Sequence, residues 1–360
     1  MSADNRLGGE ALSRLAVIIP NLTLRYSGVT ATNRMVAPRI ATLLETAWLG
    51  RDCAAGVRRI GLGGLLRLRF VAPSAPVVWH ARRNIEMAVG VALRAFGWPL
   101  TLLFTSLAQR NHKQFTRWLI ARMDAVIAGN EKSASYLEPG IRARANVINH
   151  GIDTARFHPP ADRAAAWREG GLPGRYGIGC FGRIREQKGT DLFVEAMCRL
   201  LPRYPDFTAV IIGETTPSER SFGAALEARV AQANLSDRIR FLGFRPGEEI
   251  PEWYRRMTIY AFTSRNEGFG LTLLEAMASG CALVAARAGA AEILIQDGED
   301  GVLVDAGNAD ALAAGLEPLL RDPAAAAAMG ARAIKRTAAE FTIDAEVAKI
   351  AAVYRTMRGQ

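Results

Sequence analysis

The stretch RNEGFGLTLLEAMASG, residues 265–280, places two glutamates eight positions apart, with a glycine-containing loop between them. It follows an apolar run at Ile259–Phe262 that is typical of a buried strand, and it continues from Leu271 in an apolar pattern that is typical of a helix. In α/β proteins the loops at the carboxyl ends of strands form the ligand crevice. The spacing therefore predicts that Glu267 lies in a ligand-binding loop and that Glu275 lies in the following helix.

These residue types suit a ligand that carries hydroxyl groups. A carboxylate can accept two hydroxyls at once, which is how a sugar or a ribose is held. The main-chain amides of Gly268, Phe269 and Gly270 are donors for hydroxyl or phosphate oxygens. The alternative is that Glu275 faces solvent and that Glu267 is an ordinary loop charge, and the glutamate pair alone does not decide between the two.

A second loop has the residue types of a diphosphate site. The segment GRIREQKG, residues 182–189, follows the strand-like run Gly177–Phe181 and precedes a helical pattern. Arg183 and Lys188 would then stand near a helix N-terminus, where positive potential favours phosphate. The segment matches neither the Walker loop nor the dinucleotide-binding fingerprint, and a solvated loop is the alternative.

Strand-like runs alternate with helical patterns along the whole chain of 360 residues. Several runs are continuously apolar, as in parallel strands that are covered on both faces. The length favours two domains, and NHGIDTARFHPP at 149–160 has the turn-forming residues of a boundary. We predict an α/β protein with doubly wound domains at residues 1–150 and 151–341, followed by an amphipathic helix within 342–360.

The basic charge is concentrated in the first domain. Residues 1–150 hold 20 basic and 8 acidic side chains, a net charge of +12, whereas residues 151–360 hold 25 and 27, a net charge of −2. This asymmetry favours an anionic partner, such as a phosphate-bearing substrate, an anionic membrane surface or nucleic acid, with a solvated basic surface as the alternative. We find no signal-peptide pattern, no unbroken spanning segment and no metal-type cysteine spacing, so a cytoplasmic protein is expected.

The three motifs occur in an order that resembles glycosyltransferase family 4, over essentially all of residues 146–340. They are the glutamate stretch, the basic loop and the boundary segment. The resemblance implies the GT-B fold, in which two Rossmann-like doubly wound domains face each other across a cleft. It also implies a retaining glycosyltransferase that needs no metal and no other cofactor. The first domain would bind the acceptor, the second would bind the nucleotide sugar, and the last helix would pack back on the first domain.

A finer resemblance lies in the first domain. The stretches WHARRNIEM (79–87) and FTSLAQRNHKQFTRWLIARMDAVIA (104–128) resemble the mannosyltransferases of lipopolysaccharide inner-core synthesis in alphaproteobacteria. This implies transfer of mannose from GDP-mannose to a Kdo residue on a lipid A precursor by an enzyme peripheral to the cytoplasmic face of the inner membrane, with no nucleic acid involved. The alternative within the family is another hexosyltransferase, which would use UDP-glucose or UDP-galactose in core oligosaccharide or exopolysaccharide synthesis.

The resemblance assigns the donor site mainly to the second domain. Arg183 and Lys188 would neutralise the leaving diphosphate. Glu275 would bind the ribose hydroxyls, and Glu267 would contact the hydroxyls of the donor sugar. The remaining donor-binding positions are Gly28 in YSGVT, which matches a loop that closes over the donor phosphates, the amides of Gly268, Phe269 and Gly270, and Phe244 in the turn that fits the base-binding position.

In the first domain the resemblance draws attention to the end of one strand. His80 matches a position that faces the donor sugar in relatives, and with Glu267, Arg183 and Lys188 it completes the catalytic candidates. A hydrogen-bonded structural histidine is the alternative. Arg82 and Arg83 beside it are expected to bind the carboxylate of an acidic acceptor sugar, since arginine suits planar carboxylates, with a surface charge pair as the alternative.

The mechanism and the competing functions follow from what the sequence lacks. Few acids in the first domain are available as a nucleophile beneath the anomeric carbon, which favours front-face substitution assisted by the leaving phosphate. No DxD pattern ends a strand, which argues against a metal-dependent GT-A enzyme. A nucleic-acid-binding protein lacks the expected signatures and leaves the paired glutamates unexplained. The competing functions also include a sugar-nucleotide-binding protein without transferase activity and a sugar-nucleotide epimerase.

Overall fold

The computed structural model describes residues 9–23 and 28–360. It divides the chain into two compact units: the first comprises the chain up to Gly151 together with Ile343–Gln360, and the second comprises Ile152–Thr342. These limits lie within one residue of the predicted domain boundaries. No helix in the described ranges is long and apolar enough to cross a membrane.

Within the described part of the first unit, seven strands form the sheet. They are β1 (Val17–Asn21), β2 (Thr46–Gly50), β3 (Arg58–Arg59), β4 (Val77–Ala81), β5 (Leu100–Ser106), β6 (Ala125–Ala128) and β7 (Asn146–Val147). The helices among them are α1 (Gly9–Arg14), α2 (Gly28–Leu43), α3 (Leu62–Leu68), α4 (Asn84–Ala95), α5 (Gln114–Ile120), α6 (Glu131–Ser135) and α7 (Pro139–Arg142). All strand pairs are parallel, in the order β3-β2-β1-β4-β5-β6-β7.

Six strands form the sheet of the second unit. They are β8 (Tyr176–Phe181), β9 (Phe207–Ile212), β10 (Ile239–Phe241), β11 (Met257–Phe262), β12 (Ala282–Ala286) and β13 (Val302–Val304). The helices are α8 (Arg163–Glu169), α9 (Thr190–Leu200), α10 (Arg220–Gln232), α11 (Ile250–Arg256), α12 (Leu271–Ala278), α13 (Ala291–Leu294), α14 (Ala309–Arg321) and α15 (Pro323–Glu340). The strands are parallel, in the order β10-β9-β8-β11-β12-β13.

The last helix, α16 (Ile343–Met357), belongs to the first unit. Its apolar side chains Ile350 and Tyr354 pack in one core cluster with Val36 and Ile40 of α2. Both are fully or almost fully buried, which explains why an amphipathic helix with no strand after it is stable there.

Strands in both sheets are buried on both faces, because helices cover each side. β1 (VIIPN), β4 (VVWHA) and β11 (MTIYAF) contain no exposed residue. Their continuous apolar sequence is therefore a consequence of two-sided burial. The predicted α/β class with two doubly wound parallel sheets is confirmed.

The strand order changes direction once in each sheet, between β1 and β4 and between β8 and β11. At such a point the chain leaves neighbouring strands toward opposite faces, and a crevice opens at their carboxyl ends. The order therefore selects two places for ligand-binding loops, one in each unit.

Candidate functional site

The strand order of the second unit brings the two loops singled out in the sequence side by side. The basic loop at 182–189 follows β8, and the glycine loop at 263–270 follows β11. These strands are parallel neighbours, with Gly179 opposite Tyr260, so both loops leave the same edge of the sheet at its switch point. Two motifs about 80 residues apart in the chain thus form one site.

Arg265 ties the two loops together. Its guanidinium donates to both carboxylate oxygens of Asp191, at 2.8 and 2.7 Å, and to the carbonyl of Glu186 at 2.6 Å. The main chain adds a bond from the Arg265 amide to the Gln187 carbonyl at 2.9 Å. A two-pronged arginine–carboxylate pair fixes orientation as well as distance, so Arg265 holds the basic loop in register with the glycine loop.

Gly189 allows the loops to approach this closely. Its φ is +68°, in the left-handed region, and a Cβ there would overlap the carbonyl oxygen of Thr263. The Thr263 hydroxyl in turn donates to the carbonyl of Lys188 at 2.8 Å. Any residue with a side chain would be strained at this position and would push the loops apart.

Lys188 and Glu267 meet within the site as an ion pair. Both side chains are partly buried, at 23% and 21% exposure. The second oxygen of Glu267 accepts from the amide of Gly268 at 3.0 Å. The predicted diphosphate-binding cation and the predicted sugar-binding carboxylate are therefore each other's partners in this structure, while Arg183 of the same basic loop is exposed.

Glu275 is held from beneath by a buried tyrosine. The hydroxyl of Tyr254, on α11, donates to its carboxylate at 2.9 Å. Tyr254 is fully buried, with its ring 4.8 Å from that of Phe181 and 5.3 Å from that of Tyr260. Burial raises the pKa of Glu275, and the Tyr254 hydrogen bond offsets part of that rise. Glu275 is thus not the freely solvated helix residue of the alternative interpretation.

The other predicted donor-binding positions lie around the same edge. Gly270, with φ +100°, starts α12. The side chain of Phe269 is buried, and its carbonyl accepts from the amide of Ala290 at 2.8 Å. Phe244 follows β10 and is 70% exposed, so a planar ligand could stack on it. Their contacts with a donor stay predictions.

His80 lies inside the first unit. Its Nδ1 is 2.6 Å from the hydroxyl of Tyr354, and its Nε2 is 2.7 Å from the hydroxyl of Thr105. The side chain is buried, and burial, reinforced by Arg82, holds its pKa well below the usual value, so the imidazole is neutral. These contacts are those of a hydrogen-bonded structural histidine, the alternative interpretation. The catalytic role of His80 stays a prediction.

Arg83 joins β1, α2 and α4. It donates to Asn21 at 2.9 Å, to Glu86 at 2.9 Å and to Thr30 at 2.9 Å. The contacts hold together the carboxyl ends of β1 and β4, the two strands at the switch point of the first unit. Arg83 is therefore fixed by hydrogen bonds at that edge of the sheet and is not a solvated surface charge.

Arg82 is 8% exposed, and burial lowers the pKa of its guanidinium. Its Nη1 is buried and has no hydrogen-bond partner among the described residues. A buried guanidinium nitrogen without an acceptor is costly, which marks Arg82 as a group at this edge with a donor to offer an anion.

Gly28 begins α2, and residues 24–27 of the predicted phosphate loop lie outside the described residues.

A separate pocket of about 340 Å³ in the first unit contains none of the predicted site residues. His112, Arg117, Tyr136 and Glu138 are among its lining residues, and Arg117 and Glu138 are paired at 2.5 Å. It gives no support to any of the roles assigned above.

Sequence reasoning missed two residues of the site, Arg265 and Tyr254. Arg265 directly precedes the glycine loop, but no spacing rule links it to Asp191, which lies 74 positions away. Tyr254 follows Trp253 in a short helix, and a tyrosine beside another aromatic residue is typical of the core. Only the strand order shows that either one reaches the site.

Relatives of the chain identify the family. A sequence profile described as "Glycosyl transferases group 1" matches residues 168–336. The lipopolysaccharide core biosynthesis mannosyltransferase LpcC of Rhizobium leguminosarum bv. viciae is 48% identical over 346 residues, which cover 95% of this chain and 97% of that protein. The chain belongs to the group 1 glycosyltransferases. A second relative of this glycosyltransferase, the lipopolysaccharide core biosynthesis mannosyltransferase LpsB of Rhizobium meliloti (strain 1021), is 41% identical over 95% of the chain and 97% of its own length.

Solved structures agree with this membership. The C-terminal domain of the group 1 family protein LpcC from Francisella tularensis is 43% identical, with a TM-score of 0.52, and it covers 54% of this chain and 100% of its own. Anabaena HepE in complex with UDP has a TM-score of 0.81 over 95% of this glycosyltransferase and 100% of its own chain, at 19% identity. The second likeness concerns the fold alone, and the GT-B class predicted from the motifs is confirmed.

Proposed function

We propose that this glycosyltransferase moves mannose from GDP-mannose to a Kdo residue of the lipopolysaccharide inner core. One observation carries the proposal: the identity of 48% to a core mannosyltransferase extends over 95% of the chain. Inositol phosphate glycosyltransferases, such as that of Salinispora tropica, match only 66% of it. The match to the mannosyltransferase therefore extends across the first unit, the expected acceptor domain.

The ion pair of Lys188 and Glu267 provides a way to couple donor binding to sugar recognition. A diphosphate would compete for the Lys188 ammonium, because phosphate oxygens carry more charge than one carboxylate. Glu267 would then be released to accept hydroxyls of the mannose. Arg183 would add a second cation, and Glu275, already oriented by Tyr254, would accept the ribose hydroxyls.

The transfer itself is proposed as a front-face substitution that keeps the anomeric configuration. The oxygen of an acceptor hydroxyl forms a bond to the anomeric carbon as the bond from that carbon to the β-phosphate oxygen breaks. The hydroxyl proton passes to the departing phosphate oxygen, and the product nucleotide is GDP. Arg183 and Lys188 stabilise the charge that develops on the leaving diphosphate, and we propose that no metal ion is needed for this.

The acceptor is proposed to be anionic and lipid-linked. Arg82 has a buried guanidinium nitrogen without a partner among the described residues, and the carboxylate of an acidic sugar would satisfy it. Arg83, engaged by Asn21, Thr30 and Glu86, would act by positioning that edge. A lipid-linked acceptor implies that the protein works at the cytoplasmic surface of the inner membrane.

A direct transfer assay tests the proposal. The purified protein is incubated with radiolabelled GDP-mannose and a Kdo-bearing lipid A precursor in the presence of EDTA, and the linkage is read by NMR. Mannosylated product with an α-linkage matching that of the donor is expected. Transfer only from UDP-glucose or UDP-galactose would replace the mannose assignment by that of another hexosyltransferase, and dependence on added metal would overturn the proposed chemistry.

A further inference from the structure

Three helices of the first unit lie on the same face of its sheet. α3 connects β3 to β4, α4 connects β4 to β5, and α5 connects β5 to β6, and each connection runs in the same direction across the sheet. Parallel crossovers are right-handed, so these helices share one face. α2 runs the opposite way and packs with α16 in the other core cluster.

This face carries most of the large apolar side chains that the unit exposes. Among the described residues, nine large hydrophobic side chains are exposed, and seven belong to α3, α4, α5 or the residues that directly follow them. They are Leu62, Leu66, Phe70, Ile85, Phe96, Phe115 and Trp118. Phe70 is 83% exposed and Leu62 is 76% exposed. Such a concentration is unusual for a surface that only meets water.

Side-chain contacts link the three helices that carry these residues, and we call the surface that they form the aromatic face. The indole of Trp98 donates to the Leu65 carbonyl at 2.7 Å, and the guanidinium of Arg69 lies 5.4 Å from the Trp98 ring and 5.7 Å from that of Phe70. These contacts bind the end of α4 to α3.

The same continuity holds between α4 and α5. Arg94 donates to Asp124 and to the Arg122 carbonyl, each at 2.7 Å. Arg122 lies over the ring of Trp118 at 3.6 Å, and Trp118 stacks on Phe115 with 6.0 Å between ring centres. These contacts therefore connect the part of the face around Phe70 with the part around Phe115.

The charge around the aromatic face is mainly basic, although Asp124 and Glu138 beside it pair with Arg94 and Arg117. Segments 61–70, 84–98 and 107–122 contain seven Lys and Arg residues and one acid, Glu86, which is buried. The basic residues are Arg67, Arg69, Arg94, Arg110, Lys113, Arg117 and Arg122. Aromatic rings next to arginines are the combination that proteins place at a membrane–water interface.

We propose that the aromatic face docks on an anionic phospholipid bilayer, with Trp118 and Phe115 in the interfacial layer. A second copy of the chain fits poorly, because a two-fold contact would set this basic surface against itself. An anionic bilayer complements both the charge and the apolar rings. This inference rests on the proposed function, because the lipid-linked acceptor is part of that proposal.

Tryptophan fluorescence gives a direct readout. Of the six tryptophans, all within the described ranges, Trp118 is exposed, Trp98 is half-buried and the other four are buried. Vesicles of phosphatidylglycerol and phosphatidylcholine with brominated acyl chains should quench the emission, whereas vesicles of phosphatidylcholine alone should not. Trp118→Phe should remove about half or more of the quenching while vesicle binding persists, because an aromatic ring at this position still suits the interface.

Paired variants test the surface itself. Phe115→Ser with Trp118→Ser should lower vesicle partitioning by about tenfold, since it removes the interfacial rings. Leu43→Ser is the matched control, because Leu43 is 47% exposed like Trp118 but lies on α2. Arg67→Glu with Arg69→Glu should weaken binding most at low salt. Equal loss in the Leu43 variant, or equal binding to neutral vesicles, would overturn the proposal, as would a dimer that the serine variants dissociate.

Transfer to a water-soluble acceptor separates this inference from the proposed function. The serine variants should transfer mannose to a deacylated Kdo oligosaccharide at the wild-type rate, and to acceptor embedded in anionic vesicles at a reduced rate. A wild-type protein that transfers mannose but ignores anionic vesicles would refute the docking surface alone. A protein that binds vesicles through the aromatic face but transfers no mannose would refute the proposed function alone.

Discussion

Lys188 and Glu267 form an ion pair between two loops although they stand 79 residues apart in the chain. The pair exists because β8 and β11 are neighbours at the point where the strand order reverses. Each partner alone would be an incompletely compensated charge at a partly buried site. A diphosphate donor that binds here must take over the cation, so the two residues are expected to act as a unit.

Lys188→Ala is expected to weaken binding of the nucleotide sugar by about 10–100-fold. A charge-assisted hydrogen bond contributes about 1.5–3 kcal/mol, and the variant also leaves Glu267 to repel the diphosphate. Calorimetric titration with GDP-mannose measures the loss. Lys335→Ala, at an exposed lysine of α15 in the same unit, should bind like the wild type. Unchanged affinity in the Lys188 variant would remove it from the donor site.

Arg265→Lys is expected to lower both the stability of the second unit and the donor affinity. Lysine keeps the charge but cannot make the two parallel bonds to Asp191, and the pair is about 30% exposed, so the loss should be about 1 kcal/mol. Thermal unfolding and titration report the two effects. Arg203→Lys, which alters the more exposed pair with Glu317, is the control, and an equal fall in donor affinity there would contradict the role of Arg265.

Glu275→Gln is expected to abolish donor binding while raising stability at pH 7. Burial raises the folded-state pKa of Glu275, so the folded protein holds its proton more tightly than the unfolded chain does. Stability from this group is therefore present at acidic pH and is lost as pH rises through the raised folded-state pKa. Glutamine keeps an acceptor for Tyr254 and avoids that loss. Unfolding midpoints of the variant and the wild type should diverge as pH rises from 4 to 7.5, and parallel curves would contradict the buried carboxylate.

Glu346→Gln is expected to destabilise the first unit by about 1.5–3 kcal/mol at pH 7, the usual contribution of a hydrogen bond to a charged group. Glu346 accepts from His150 at 2.7 Å and from the Gly151 amide at 2.8 Å. Although burial opposes ionisation, His150 and Arg82 hold the pKa of Glu346 below its usual value. The stabilisation is present above the unfolded-state pKa and is lost as pH falls through the folded-state value.

Urea unfolding at several pH values checks this prediction. Asp344→Asn on the same helix removes an ion pair whose carboxylate is 83% exposed, so it should cost less than about 1 kcal/mol. If both variants lost the same stability at pH 7, the hydrogen bonds of Glu346 would not stabilise α16 more than the exposed ion pair does.

Much of the fold could be predicted from local patterns, because continuous apolar runs are typical of strands that are buried on both faces. The predicted strands at Gly177–Phe181 and Ile259–Phe262 end at the same residues as β8 and β11. β2 (TAWLG) has no such signal, because it is short and has no run of β-branched residues. The helix expected from Leu271 begins at that residue as α12.

The candidate site could also be predicted only in part from the sequence. Loop chemistry pointed to Lys188, Glu267 and Glu275, because charged residues beside glycines after a buried strand have few structural uses. The sequence could not show that Lys188 pairs with Glu267, since that contact depends on strand order. It also could not show that both nitrogens of His80 are engaged by Tyr354 and Thr105, because α16 returns to the first unit from the end of the chain.

Whether the paired loops after β8 and β11 hold a nucleotide-diphosphate sugar can be decided by a single titration series. Wild type, Lys188→Ala and Glu275→Gln are titrated with GDP-mannose, UDP-glucose and UDP-galactose in the presence of EDTA. We expect selective binding of GDP-mannose by the wild type, binding about 10–100-fold weaker in Lys188→Ala and no binding in Glu275→Gln. Binding that survives in both variants, or a wild type that binds none of the three donors, would show that these loops are not the donor site.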